Sequence, residues 1–144
     1  MREILQIPDL RLYRKSRIII SKEDIPKSLV EDMQYYMKKS CIPGIAAPQL
    51  GESIRLISVR SNEDIVFLVN PEIVKRSEQT FPSEEGCLSI NRGKSSFVLR
   101  RNKIVKVKAK DLNMNEVTYK SRDLLGIALQ HEIDHLDGIL INKG

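Results

Sequence analysis

Apolar residues recur along this chain at two different spacings, and the change of spacing divides it into successive elements. Leu29, Val30, Met33, Tyr36 and Met37 fall on one stripe at helical spacing with charged residues between them, which predicts a helix with one core-facing side. Ser21 to Asp24 forms a polar lead into that helix, Pro26 suits its first turn, and it should stop near Ser40, ahead of Pro43-Gly44. The pattern then shortens to that of strands. Residues 54–59 and 65–70 are β-rich runs separated by Ser61-Asn62-Glu63-Asp64, a turn signal, and Pro71 to Arg76 continues extended. Phe97 to Arg100 is a further strand candidate. Val105, Val107 and Ala109 alternate with Lys106, Lys108 and Lys110, so that strand should bury one face and solvate the other. The three lysines read as a solvated face that discourages edge pairing. Asn113-Met114-Asn115 should turn the chain into a strand over Glu116 to Tyr119.

From Asp123 to Gln130 the chain is mostly apolar without strand alternation, which predicts a buried helix continuing through His135. Ser121 can cap its start, and Gly138 lies just past its end. Residues 1–20 read as an extended arm. The expected fold is α+β: antiparallel β-sheets around a buried, metal-binding helix, in one domain over residues 1–144.

Composition narrows the partners. The 144 residues can bury a sizeable core, and 41% apolar with 30% charged residues describes a globular chain. No apolar run approaches the ~20 residues of a membrane helix, and the first residues are too charged for a signal peptide, so no membrane is expected as partner. The net charge of +5 is a mild excess, and with few aromatic residues and no nucleic-acid motif it implies no specific nucleic-acid partner. Two cysteines, Cys41 and Cys87, do not make a disulfide framework, which leaves a thiol free to serve as a ligand.

The candidate chemistry centres on His131-Glu132-Ile133-Asp134-His135. On a helix, positions i and i+4 share one face one turn apart, so both imidazoles can reach one metal ion with Glu132 beside them as a base. A catalytic metal usually takes three protein ligands and keeps a position open for water. The chain has only two histidines, so the third ligand is a carboxylate or a thiol. Cys87 lies in Glu85-Gly86-Cys87-Leu88-Ser89, where a glycine allows close backbone approach. Gly44-Ile45-Ala46-Ala47-Pro48-Gln49 is a close-packed run of small residues ending in an amide donor.

Taken together and in this order, the three motifs resemble those of the peptide deformylases, and Leu5 to Asp9 resembles that family's opening as well. The resemblance implies that Cys87, His131 and His135 hold one divalent metal ion. In the family this is usually Fe²⁺, which Zn²⁺, Ni²⁺ or Co²⁺ can replace. It implies that Glu132 moves the proton while water attacks the formyl carbon, and that Gln49 and the Leu88 N–H stabilise the oxyanion. Gly44, Glu85, Leu88 and Pro43 would border the substrate, and Arg101, or else Arg100, would pair with Glu85 and support the cysteine strand. The implied substrates are N-formyl-methionyl nascent peptides, with transient ribosome contact, in the cytoplasm of a bacterium or virus-infected host or in an organelle. Two departures stand out. Ile42 and Pro43 replace residues that are usually a glycine and a small or branched residue; Pro43, lacking an N–H, should donate nothing to a bound peptide. The chain also stops soon after His135, without the long C-terminal helix through which such a protein would dock on a ribosome. The competing readings are a zinc endopeptidase of the H-E-x-x-H class, which needs a downstream third ligand, and an inactive binding module, which needs a lost ligand or base.

Overall fold

The structure, a computed structural model, describes residues 1–143. The amphipathic helix is α1, Lys27–Ser40. Leu29, Met33 and Met37 of its stripe are fully buried, while Val30 and Tyr36 are partly so. Pro26 stands at the N-cap, one place before the first helical residue, and the helix stops where Cys41 turns left-handed at φ 51°. The N-terminal segment is not continuously extended: short 3₁₀ turns interrupt it at Leu10–Tyr13 and Lys22–Asp24.

Seven strands follow: β1 Gly44–Ala46, β2 Leu56–Ser61, β3 Asp64–Arg76, β4 Thr80–Gly86, β5 Ser96–Asn102, β6 Val105–Lys110 and β7 Glu116–Ser121. They form a five-stranded antiparallel sheet in the order β1-β2-β3-β6-β7 and a separate β4-β5 pair. Helix α2, Leu124–Leu136, completes the architecture. The expected α+β class is thus observed. Two strands had no counterpart in the pattern. β1 has three residues inside what reads as a turn. β4 turns Ser83 and Glu85 inward, so no apolar alternation marks it.

The lysine strand needs a correction. Lys106 and Lys108 are exposed as expected, but β6 lies in the sheet interior between β3 and β7, with Lys106 opposite Lys120 and Lys110 opposite Glu116. Alternation reports that a strand has one wet face; it carries no information on whether a neighbour pairs along each edge.

The larger sheet is covered on both faces near β1–β3. On one side Ile45, Leu56, Phe67 and Val69 pack on the α1 stripe. On the other, Ala46, Ile57, Val59, Leu68, Val105 and Val107 pack on Ala128, Leu129, Ile133 and Leu136 of α2. Helix α2 is therefore buried along most of its length and holds its position firmly.

Its ends are fixed too. Asp123, not Ser121, is the N-cap, because Ser121 is still the last residue of β7; its hydroxyl accepts from the Asp123 N–H at 3.4 Å. At the other end the Arg55 guanidinium donates to the Leu136 carbonyl at 3.1 Å and pairs with Asp137 at 2.9 Å, favourable placement for a cation. Among the described residues no helix is long and apolar enough to cross a membrane.

Gly138 follows α2 at φ +74°, where an added Cβ would lie 2.5 Å from the Tyr13 carbonyl oxygen. Gly138→Ala combines a disfavoured backbone with that clash and should cost about 1–3 kcal/mol. A thermal-denaturation midpoint equal to the parent's would show that the segment after α2 relaxes freely.

Candidate metal centre

The burial of α2 places its two histidines on one interior face, ring centroids 5.2 Å apart. Cys87 comes to meet them directly after β4. One ligand atom from each of Cys87, His131 and His135 lies within 4.8 Å of the others, and the Cys87 Sγ is 3.4 Å from the His135 Nε2. A thiolate with two imidazoles is a donor set suited to a transition metal or zinc.

An ion-pair network holds this face. Arg101 donates to both Glu85 oxygens, at 2.8 Å each, and to Asp134 at 2.7 Å; the His131 Nδ1 sits 2.8 Å from the same Glu85 Oε1. That contact occupies Nδ1 and leaves Nε2 free for the side of the Cys87 sulfur, the carboxylate–histidine arrangement that orients a metal ligand. Burial disfavours the Glu85 charge, but its bonds from Arg101 and His131 outweigh this and hold the carboxyl down at about 2. Arg100 instead lies exposed against Thr80. Burial opposes charge on His131 as well, yet Glu132, Cys87 and Glu85 prevail and push it up to about 10, so the surroundings favour a cation here. His135 is pushed well below its ordinary value by burial, with the charges of His131 and Arg101 adding to the shift, and is neutral.

Glu132 is buried, and desolvation pushes its carboxyl up to about 7, well above an ordinary glutamate. Its Oε1 finds no hydrogen-bond partner among the described residues, a costly state for a buried polar atom that a functional demand explains. Gly44 makes room for it. A Cβ on Gly44 would stand 2.8 Å from the Glu132 Cγ and 2.9 Å from its Oε2.

Gln49 reaches the centre from the 3₁₀ turn Ala47–Leu50. Its Oε1 accepts from the Ala46 N–H at 2.9 Å, fixing which way the amide points. Its Nε2 donates to the Ser89 hydroxyl at 3.1 Å and towards the Cys87 Sγ at 3.6 Å. A cavity of about 340 Å³ opens beside these groups. Its lining includes Pro43, Gly44, Gln49, Glu85, Leu88 and Glu132, with Ile42, Leu124 and Ile127 contributing apolar surface. The Glu85 carboxylate is fully engaged by Arg101 and His131, so this residue borders the cavity while its charge serves the histidine.

Pro43 lines the cavity, but its carbonyl faces β2. The Arg60 N–H donates to the Pro43 carbonyl at 2.9 Å, with Gly44 opposite Val59. In an antiparallel ladder backbone groups alternate in direction, so Pro43 faces β2 and Gly44 faces the open edge. The N–H that proline lacks is missing from the β1–β2 ladder rather than from the open edge.

The residues singled out in the sequence thus converge on one place. Others beside them carried no legible role. Gln130 holds α2 to β5 by accepting from the Asn102 N–H at 2.9 Å and donating to its carbonyl at 3.0 Å. Ser89 and Asp134 are polar partners whose contacts lie far away along the chain. Membership of the motifs that carry the family resemblance was the signal for all three, without a role attached.

Comparison with known proteins agrees with the geometry. The family model described as polypeptide deformylase matches residues 1–143. The chain belongs to the polypeptide deformylase family. A peptide deformylase of Dictyoglomus thermophilum is 40% identical over 141 residues, covering 98% of this chain and 90% of the relative. The crystal structure of peptide deformylase from Thermotoga maritima superposes with a TM-score of 0.92 at 30% identity, covering 99% of this chain and 96% of that one. A Met-Ala-Ser-bound class I type b peptide deformylase from Acinetobacter baumannii gives 0.90 at 29% identity, covering 99% and 97%. Deformylases are metallohydrolases that remove the formyl group from N-formyl-methionyl nascent peptides, and this is the activity of the chain. The comparisons lend no support to the endopeptidase or inactive-module readings.

Gly44→Ala should push the Glu132 carboxylate out of place while leaving the donor trio untouched. The expected result is at least about a tenfold loss of kcat, short of the ~10²–10⁴-fold that complete loss of a general acid–base group would cost, with metal content retained. Parent-like kcat would mean that Glu132 shifts without consequence.

Proposed function

We propose that Cys87, His131 and His135 hold the metal ion of this deformylase and that Glu132 is its general acid–base. The observation that carries this is the convergence of three ligand atoms within 4.8 Å beside a buried carboxylate with an unpartnered oxygen. We take Fe²⁺ as the ion in the cell, with Zn²⁺, Ni²⁺ or Co²⁺ able to replace it, since the donor set does not choose among them. A divalent ion bound there supplies Lewis-acid chemistry, lowering the pKa of water towards neutrality and polarising the formyl oxygen.

The remaining work falls to the chain's own groups. Glu132, poised near neutrality, takes a proton from the attacking water. The water oxygen bonds to the formyl carbon, the C–N bond breaks, and Glu132 returns the proton to the departing amine, leaving formate and a free N-terminus. The Gln49 amide and the Leu88 N–H face the oxyanion, where donors held in advance cost no reorganisation. The apolar wall of Ile42, Leu124 and Ile127 receives the methionine side chain. The peptide backbone adds to the open edge of β1 through Gly44, as a further strand. The tripeptide named with the Acinetobacter structure makes formyl-Met-Ala-Ser a suitable substrate. Residues 1–144 act as one catalytic domain, and substrates that are nascent chains bring it transiently to the ribosome, in the cytoplasm or an organelle.

The test is elemental analysis after anaerobic purification, paired with formate release from formyl-Met-Ala-Ser. Cys87→Ala should hold little metal, because two imidazoles bind divalent ions weakly; full occupancy in this variant would assign the third ligand elsewhere. Glu132→Ala should keep its metal and lose close to 10⁴-fold in kcat, the upper end for a group that both accepts and donates a proton. More than a tenth of the parent rate would remove Glu132 from that role.

A further inference from the structure

The N-terminal arm reaches the back of the centre with a specific set of bonds. The Leu5 N–H donates to the Gln49 carbonyl at 2.7 Å, and the Ile7 N–H to the Ser89 carbonyl at 2.9 Å. Between them the half-buried Gln6 side chain uses both ends of its amide. Its Nε2 donates to the Leu88 carbonyl at 2.7 Å, and its Oε1 accepts from the Arg92 N–H at 3.0 Å. Three consecutive residues of the arm thus bind Gln49 and the Leu88-Ser89 segment, the two sources of oxyanion donors in the reading above.

We propose that Gln6 is a positioning residue of the deformylation reaction, fixing the direction of the Leu88 N–H. In a trans peptide the N–H points opposite the carbonyl of the same plane. The plane holding the Leu88 N–H is pinned through the Cys87 carbonyl, which accepts from the Ile90 N–H at 2.9 Å. The next plane is pinned through the Leu88 carbonyl by Gln6, so both planes flanking Leu88 are held. On this side Leu88 and Gln6 border an open hollow of about 460 Å³, shared with Ile4, Tyr36 and Arg92, so the bond from Gln6 has little packing beside it. Removing the amide leaves Leu88 held on one side only, by the single turn bond to the Cys87 carbonyl, and the looser turn lets the N–H drift from the line along which the oxyanion forms.

The proposal rests on Gln49 and Leu88 being the oxyanion donors, so Gln49→Ala is measured alongside. Losing one such donor costs about 10²–10³ in kcat. Gln6→Ala, which displaces a donor rather than deleting it, should cost about tenfold in kcat, with KM within about twofold and metal content equal to the parent's. Gln6→Glu keeps the acceptor for the Arg92 N–H but sets a carboxylate oxygen against the Leu88 carbonyl; it should lose at least as much kcat, and it separates this bond from the Arg92 contact. In ¹⁵N–¹H spectra the Leu88 amide resonance should move in both variants. Parent-like kcat in Gln6→Ala, beside the full loss in Gln49→Ala, overturns the role of Gln6 and leaves the donor reading standing. Parent-like kcat in Gln49→Ala overturns the donor reading itself. A rise in KM alone, or a fall in kcat that tracks lost metal, also overturns the proposal, since either would give Gln6 a different task.

Discussion

The buried pair of Arg101 and Glu85 is the constraint on which the centre depends. Each side chain is about 5% exposed, and the Glu85 charge in particular depends on Arg101, which also pairs with Asp134. Removing one partner of such a pair typically costs about 3–5 kcal/mol, because it strands an uncompensated charge. The pair also has a geometric consequence. Glu85 belongs to β4, Arg101 to β5, and both reach α2, Glu85 through His131 and Arg101 through Asp134. A two-stranded sheet, marginal in isolation, is thereby locked to a helix set deep in the core. Cys87 is two residues past Glu85, so fixing the carboxylate fixes where the thiol arrives.

Around that lock the protein tolerates local costs where the chemistry needs them. Glu132 has an unpartnered oxygen in a buried setting, and His135 has an unpartnered Nδ1. Among the described residues the hydroxyls of Ser16 and Ser58 are unpartnered too, but a carboxylate and an imidazole carry the larger cost. They persist because α2 is packed along its length by the sheet, capped by Arg55 and clamped to β5 by Gln130. The absent side chain of Gly44 is part of the same arrangement, since the space it leaves holds the carboxylate. Gln49 and Leu88, which also line the cavity, have separate support: Ala46 orients the Gln49 amide, and the arm backs the Leu88 segment. Catalytic geometry is thus distributed over elements that are distant along the chain.

The sequence by itself determined the elements whose pattern is local. The stripe on α1, the hairpin at Asn62, the alternation of β6 and the apolar run of α2 each follow from neighbours within a few residues, and all appear where the spacing put them. It also singled out His131 and His135, which a helix places together, whereas the residues alone left the third ligand open between carboxylates and thiols and only the family resemblance pointed to Cys87. Only the tertiary structure decided what depends on residues far apart along the chain. It made β6 an interior strand and β4 a strand at all, since a neighbouring strand, not the β6 or β4 pattern, supplies the pairing. It turned Pro43 towards β2, chose Arg101 over Arg100, and brought Gln6 against Leu88, 82 positions away. The physical reason is the same each time. Periodicity records which face of an element meets apolar surroundings, whereas a hydrogen bond or ion pair between distant residues exists only after folding has set both backbones in place.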